Sequence, residues 1–134
     1  MVLVDTHVLL DVLQDDPRWA DWSQQQLESA RLNDRLAINA VIYSELSIAF
    51  ARIEELETVV AEANLAVEAI PREALFLAGK VFLRYRRARG AKPGVLPDFF
   101  IGAHAAVMQW PLLTRDTRRY RRYFPTLKLI TPDT

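Results

Sequence analysis

Cysteine is absent from this 134-residue chain, and with it go disulfides, thiolate catalysis and sulfur-ligated zinc or iron centres. Any metal would be held by oxygen or imidazole donors. Long apolar runs are also missing, and none approaches the roughly 20 residues that a membrane-spanning helix requires. The chain opens without a basic segment followed by a cleavable apolar stretch. These absences lead to the expectation of a cytoplasmic protein with no membrane partner. Repeats, low-complexity tracts and linkers are lacking too. Residues 1–134 therefore read as one domain, long enough to bury a core unaided.

Nor is there a surplus of charge of either sign, because 17 Lys and Arg balance 17 Asp and Glu. That total argues against a polyanionic partner until the charges are placed along the chain. Residues 1–79 hold five arginines against fourteen acids. From Lys80 to Arg122 the balance reverses: Arg84, Arg86, Arg87, Arg89, Lys92, Arg115, Arg118, Arg119, Arg121 and Arg122 face only Asp98 and Asp116. This half is suited to polyanions. The same arginines also read as the solvated faces of two helices.

What is present alternates between strand and helix patterns. Val2-Leu3-Val4 is a short apolar run stopped by Asp5, the pattern of a buried parallel strand whose carboxyl end opens onto a site. Asp15 to Asp34 reads as a helix entered through Pro17, with Trp19 and Trp22 one turn apart. Leu36-Ala37-Ile38 predicts a second strand, and Asn39 leads into a helix carrying Ile42, Glu45, Leu46 and Ala49 up to Arg52. Glu54 to Ala63 is helical in composition, and Leu65 to Ile70 reads as a third strand bounded by Pro71. Arg72 to Arg89 predicts a long helix whose apolar positions are Leu75, Ala78, Phe82 and Tyr85. A loop punctuated by Gly90, Pro93, Gly94 and Pro97 precedes a helix opened by Asp98 and continued through Ile101, Ala105 and Met108. Pro111 to Thr114 is a fourth strand, Arg118 to Tyr123 a short basic segment, and Leu127 to Ile130 a fifth strand. The alternation predicts an α/β fold with a central, mainly parallel sheet of four to five strands.

In open parallel sheets, ligands bind beyond the carboxyl ends of the strands. Asp5 follows the first strand and Asp116 the fourth, Asp98 begins the helix that feeds the fourth, and Glu45 sits on the inward side of the helix after the second. Each has an ordinary alternative: Asp98 as a helix N-cap, Asp116 as a turn residue, Glu45 as a solvated helix residue. Asp5 is the hardest to explain away, since a carboxylate ending a buried strand needs partners. Four converging carboxylates are tolerable only beside a cation. An all-oxygen set favours Mg2+ or Mn2+, ions that bind phosphate oxygens and activate water for phosphodiester hydrolysis.

The run from Val2 through Asp5 to Asp11, the Ser44-Glu45 pair, the stretch Leu96 to Ala105 around Asp98, and Leu112-Leu113-Thr114-Arg115-Asp116 resemble, in order, the motifs of PIN domains. The likeness spans essentially the whole chain and is nearest to the VapC-type toxins of toxin–antitoxin pairs. It implies an α/β/α sandwich and a divalent-metal endoribonuclease that is homodimeric and inhibited by a cognate antitoxin. Asp5, Glu45 and Asp98 match the acids that hold the principal metal, and Asp116 matches a more variable fourth acid. Thr6 and Thr114 match hydroxyl positions near the site, where Thr114 would orient a carboxylate or the attacking water. It reads equally well as a β-branched strand residue. His7 departs from the asparagine or serine usual there. Asp11 reads as a helix-start residue on a solvated face.

Arg115, Arg118 and Arg119, which flank Asp116, are the candidates for RNA phosphate binding. His104 follows Asp98 by six residues, roughly 240° around its helix, so it and His7 read as partly buried histidines rather than ligands. Phe76, Phe82, Phe99 and Phe100 read as core. Two rivals remain. A haloacid-dehalogenase-type phosphohydrolase also uses an aspartate after its first strand, but it wants a second two residues later, where His7 stands. A module that binds RNA or protein without cutting is separated from a nuclease only by measured turnover.

Overall fold

The computed structural model describes residues 1–88, 90, 92 and 94–132. Twelve elements follow in the order β1 (Val2–Val4), α1 (Thr6–Leu13), α2 (Ala20–Asn33), β2 (Leu36–Ile38), α3 (Ala40–Ser47), α4 (Ile53–Glu62), β3 (Ala66–Val67), α5 (Arg72–Arg87), α6 (Leu96–Met108), β4 (Leu112–Leu113), α7 (Arg118–Tyr123) and β5 (Leu129–Ile130). The strands form one sheet in the order β3-β2-β1-β4-β5. Every pairing is parallel, with Val2 opposite Leu36, Leu3 opposite Leu112, Ala37 opposite Ala66 and Leu113 opposite Ile130. A parallel sheet needs helical crossovers, and these cover its faces.

The central strands are short and wholly buried: Leu3, Val4, Ala37, Ile38, Leu112 and Leu113 have no exposed surface. β1 lies between β2 and β4, so the ends of the first and fourth strands are neighbours, as the sequence predicts. Around the sheet pack Val8 from α1, Ile42 and Leu46 from α3, Leu56 from α4, Ala74, Ala78 and Val81 from α5, and Phe99 and Ile101 from α6. Among the described residues, no helix is long and apolar enough to cross a membrane.

Several local expectations shift. α1 begins at Thr6, directly after the first strand, so Asp11 stands in its second turn and is buried, not solvated. α3 ends at Ser47, leaving Ala49 exposed in the following turn instead of facing inward. The third strand keeps two residues of the predicted six. The fully buried positions of α5 are Ala74, Ala78 and Val81; of the predicted face, Ala78 is buried and Phe82 and Tyr85 pack against the core, but Leu75 points outward, and Phe76, read as core, is 69% exposed. Arg89 and Pro93, read as a helix end and a loop, lie outside the described residues.

The C-terminal half closes on aromatic contacts. Phe99 of α6 meets Phe82 and Tyr85 of α5, Tyr123 of α7, and Phe124. Gly102 makes the last approach possible, since a Cβ there would come within 2.5 Å of the Phe124 ring. α7 is thereby held against α6, which fixes the two helices that bear Arg119 and Asp98.

Candidate active site

The site lies where β1 and β4 end side by side. Asp5 leaves β1 with its N–H donating to Leu113 O at 2.9 Å. Its extended backbone makes it the N-cap of α1, and its side chain accepts from Thr6 N–H at 2.8 Å. One carboxylate thus ends a buried strand and starts a helix, which answers the first orphan donor of that helix. The second oxygen accepts from the Thr114 hydroxyl at 2.7 Å and from the Tyr120 hydroxyl at 3.4 Å. Thr114 has no exposed surface, and its oxygen in turn accepts the Asp116 N–H at 3.1 Å. A single hydroxyl therefore ties the first acid to the fourth. Its proton must face Asp5, because its lone pair is engaged by the amide.

Glu45 reaches the same strand end from α3. Thr6 donates its hydroxyl to Glu45 Oε1 at 2.6 Å, joining α1 to α3. α3 is set in place by Asn39, whose Oδ1 accepts from Ile42 N–H at 3.0 Å. The other side of that amide, Nδ2, lies 3.1 Å from His104 Nδ1 of α6. With the Asn39 oxygen committed to the helix, its N–H donates to the ring, and the ring proton sits on Nε2, a buried atom with no partner among the described residues. Burial lowers the His104 pKa, with Glu68 opposing. His104 is thus fully buried rather than partly so, and it couples the helix of Glu45 to the helix of Asp98.

Asp98 stands in the first turn of α6, with Pro97 before it, but it does not cap the helix, whose N-cap is Val95. It is three-quarters buried and forms an ion pair with Arg119 of α7. Burial, then the charge of Asp5, then that of Asp116 push its carboxyl up to about 6, against the opposing pull of Arg119. Burial likewise raises the Asp5 carboxyl; the hydrogen bonds from Thr114 and Thr6 lower it, and Glu45 adds a smaller rise. Tyr120 is pushed well above its ordinary range, first by burial and then by Asp5, Asp98 and Asp116. Asp98 thus feels Asp5 and Asp116, and Asp5 feels Glu45, so the four acids chosen from sequence bear on one another in a chain of like charge that Arg119 offsets in part.

In chemical type this set fits a hard divalent cation: four carboxylates with two threonine hydroxyls beside them and no soft donor. Mutual repulsion among buried carboxylates is the condition that such an ion relieves. As placed, however, no three of the described His, Asp and Glu side chains form a ready metal-binding group. Arg119, the cation already in contact with Asp98, occupies part of that role.

The basic residues divide. Arg118 and Arg119 line a cleft of about 300 Å3 with Lys92, Arg122, Asp116, Tyr85 and Tyr123. That places four cationic side chains beside Asp116. Arg115 turns the other way. Its Nε and Nη2 donate to both oxygens of buried Asp11 at 2.9 and 3.0 Å, Ser23 Oγ adds a third bond at 2.8 Å, and Trp19 covers the guanidinium at 5.3 Å. Sequence reasoning missed this pair, along with Tyr120. Asp11 at an inward position after the first strand was the available signal. His7 is exposed, not partly buried, and its charge lowers the Asp5 carboxyl.

A family model described as PIN domain matches residues 2–125. No curated protein sequence matches the chain. Among solved structures, one chain of VapBC2 from Rickettsia felis bound to a DNA fragment from their promoter superposes with a TM-score of 0.75 at 19% identity, covering 98% of each chain. FitAcB from Neisseria gonorrhoeae gives 0.73 at 19% identity, and a toxin–antitoxin complex from Klebsiella pneumoniae gives 0.70 at 22%, each again covering 98% of both chains. At these identities the likeness is one of fold.

Proposed function

We propose that this chain, which belongs to the PIN-domain family, is a metal-dependent endoribonuclease, the toxin of a toxin–antitoxin pair. On this reading it acts on RNA in the cytoplasm as a homodimeric, single-domain protein and is restrained by a cognate antitoxin. The observation that supports the reading is the mutual influence of the acids, Glu45 on Asp5 and both Asp5 and Asp116 on Asp98, with Asp116 lining a cleft shared by Lys92, Arg118, Arg119 and Arg122. Negative charge that calls for a divalent cation adjoins positive charge that calls for phosphate.

Magnesium or manganese, once bound, supplies the activated water for in-line attack and steadies the leaving oxygen. Asp5, Glu45 and Asp98 would hold it, directly or through water, with Asp116 at the exposed edge. Thr114 and Thr6 fix the Asp5 and Glu45 carboxylates through their hydroxyls. Arg118 and Arg119 face the RNA phosphates. Because water and not the 2′-hydroxyl attacks, the products carry 5′-phosphate and 3′-hydroxyl ends.

A binding module without turnover has one observation in its favour, the engagement of Asp98 by Arg119 in place of a finished metal cluster. Both readings meet one experiment, incubation of labelled single-stranded RNA with the purified chain in Mn2+, in EDTA, and with Asp98→Asn. The nuclease reading expects metal-dependent cutting that both controls abolish. Binding without cutting across varied RNAs, or cyclic-phosphate ends, would remove it.

A further inference from the structure

We infer that Arg119 is the resident counter-cation of the acid cluster, occupying Asp98 until a divalent ion displaces it, so that metal binding and the release of this arginine are one exchange. The inference rests on the metal site of the proposed function and adds to it a residue that governs access.

Four observations carry it. Arg119 is the one hydrogen-bond partner of Asp98 among the described residues, and it comes from α7, a different element from any that carries the acids. The pair is largely enclosed, with side chains 19% and 24% exposed, so it is not a solvated surface contact. Asp5 and Asp116 both bear on Asp98, so the guanidinium offsets the charge of a group of carboxylates. Among the described residues, with the pair intact, no three acids form a ready metal-binding group.

Displacement needs little rearrangement. Arg119 already lines the cleft that holds Lys92, Arg118 and Arg122. A guanidinium released from Asp98 has that cleft beside it, where a nucleic-acid phosphate is its natural partner. Tyr120, the next residue, is buried, and Phe124 is packed on Gly102, so α7 stays in place while the side chain swings. The exchange puts two positive charges on the acids in place of one and gives the released arginine a phosphate in place of a carboxylate, so every charged group keeps a counter-charge.

Mn2+ binding to the full chain, followed by calorimetry and by the electron paramagnetic resonance of the free ion, tests the exchange without recourse to cleavage. Arg119→Gln should bind Mn2+ more tightly by about tenfold, the change that about 1.4 kcal/mol produces. Arg121→Gln removes the same charge from the exposed side of the same helix and should leave the affinity unchanged. Arg119→Lys keeps the charge, remains informative should the glutamine variant fold poorly, and should stay within a few-fold of the parent. Mn2+ should also raise the Tm of Arg119→Gln more than that of the parent, whereas a purely structural ion pair would lower Tm equally with and without metal. Equal or weaker Mn2+ binding by Arg119→Gln overturns the inference, as does equal tightening by Arg121→Gln, which would point to the general field. Folded parent and variants that all fail to bind Mn2+ would remove the metal site and this inference with it; a parent that binds isolates the failure to Arg119.

Discussion

Asp11 and Asp98 each meet an arginine from the last quarter of the chain, on either side of the same strand end. Asp11 is 3% exposed and takes both donors of Arg115 in a fork and a third bond from Ser23, while Trp19 covers the guanidinium. Asp98 takes one nitrogen of Arg119 and has Asp5 and Asp116 for neighbours. The first pair is saturated and closes on itself. The second is left in excess negative charge at the edge of an open cleft. The same two functional groups therefore make a bolt in one place and an exchangeable partner in the other, and the distinction lies in how many donors each carboxylate has been given.

Breaking the saturated pair should have the largest effect on the fold. Arg115→Ala strands a buried carboxylate and should destabilise the protein by about 3 kcal/mol, lowering Tm by roughly 10 °C. Thermal melting checks this; a loss no larger than that of Arg119→Ala would dissolve the contrast between the pairs.

Next comes a pH dependence expected of the second pair. The Asp98 pKa is raised to about 6 in the folded chain above an unfolded value of about 3.9. Its contribution is therefore fully present below about pH 4 and is lost as pH rises through about 6, on the order of 3 kcal/mol in all. Asp98→Asn removes that titration and should be more stable than the parent at pH 8 while matching it near pH 4. Denaturant melts at both values decide, and an unchanged difference across the range would mean that Asp98 does not carry the excess charge.

A smaller change sharpens the picture between the two pairs. Thr114→Val deletes the hydroxyl shared by Asp5 and the Asp116 amide, leaving a buried carboxylate oxygen short of a donor at about 1–3 kcal/mol. Thr114→Ser should restore most of the loss. Recovery of stability without recovery of cleavage in the serine variant would assign the threonine methyl a part in positioning the acids.

How much of this was legible follows from how local each signal is. Asp5 could be found because a strand that stops on a carboxylate shows in four consecutive residues, and Asn39 because capping chemistry is written one turn ahead of its helix. The parallel sheet and the closeness of Asp5 and Asp116 followed from alternating elements. Arg115 could not be separated from Arg118 by composition, since its partner lies 104 positions away and no periodicity links them. On α5, Leu75 and Phe76 read as inward because they are as apolar as the residues that are buried, and only tertiary packing decides among them. The burial of His104 was legible only in part, because its bond to Asn39 spans 65 positions and left no trace in the pattern.

The order β3-β2-β1-β4-β5 also has a consequence in time. The strand made first lies at the centre of the sheet, and one of its two edges waits for a strand that begins at Leu112. On a chain emerging from synthesis, Asp5 has no Thr114 beside it, Asp98 has no Arg119, and the first strand keeps an open edge. The acids are gathered only when the final fifth of the polypeptide arrives, so an incomplete copy carries the parts of a cutting centre without the centre.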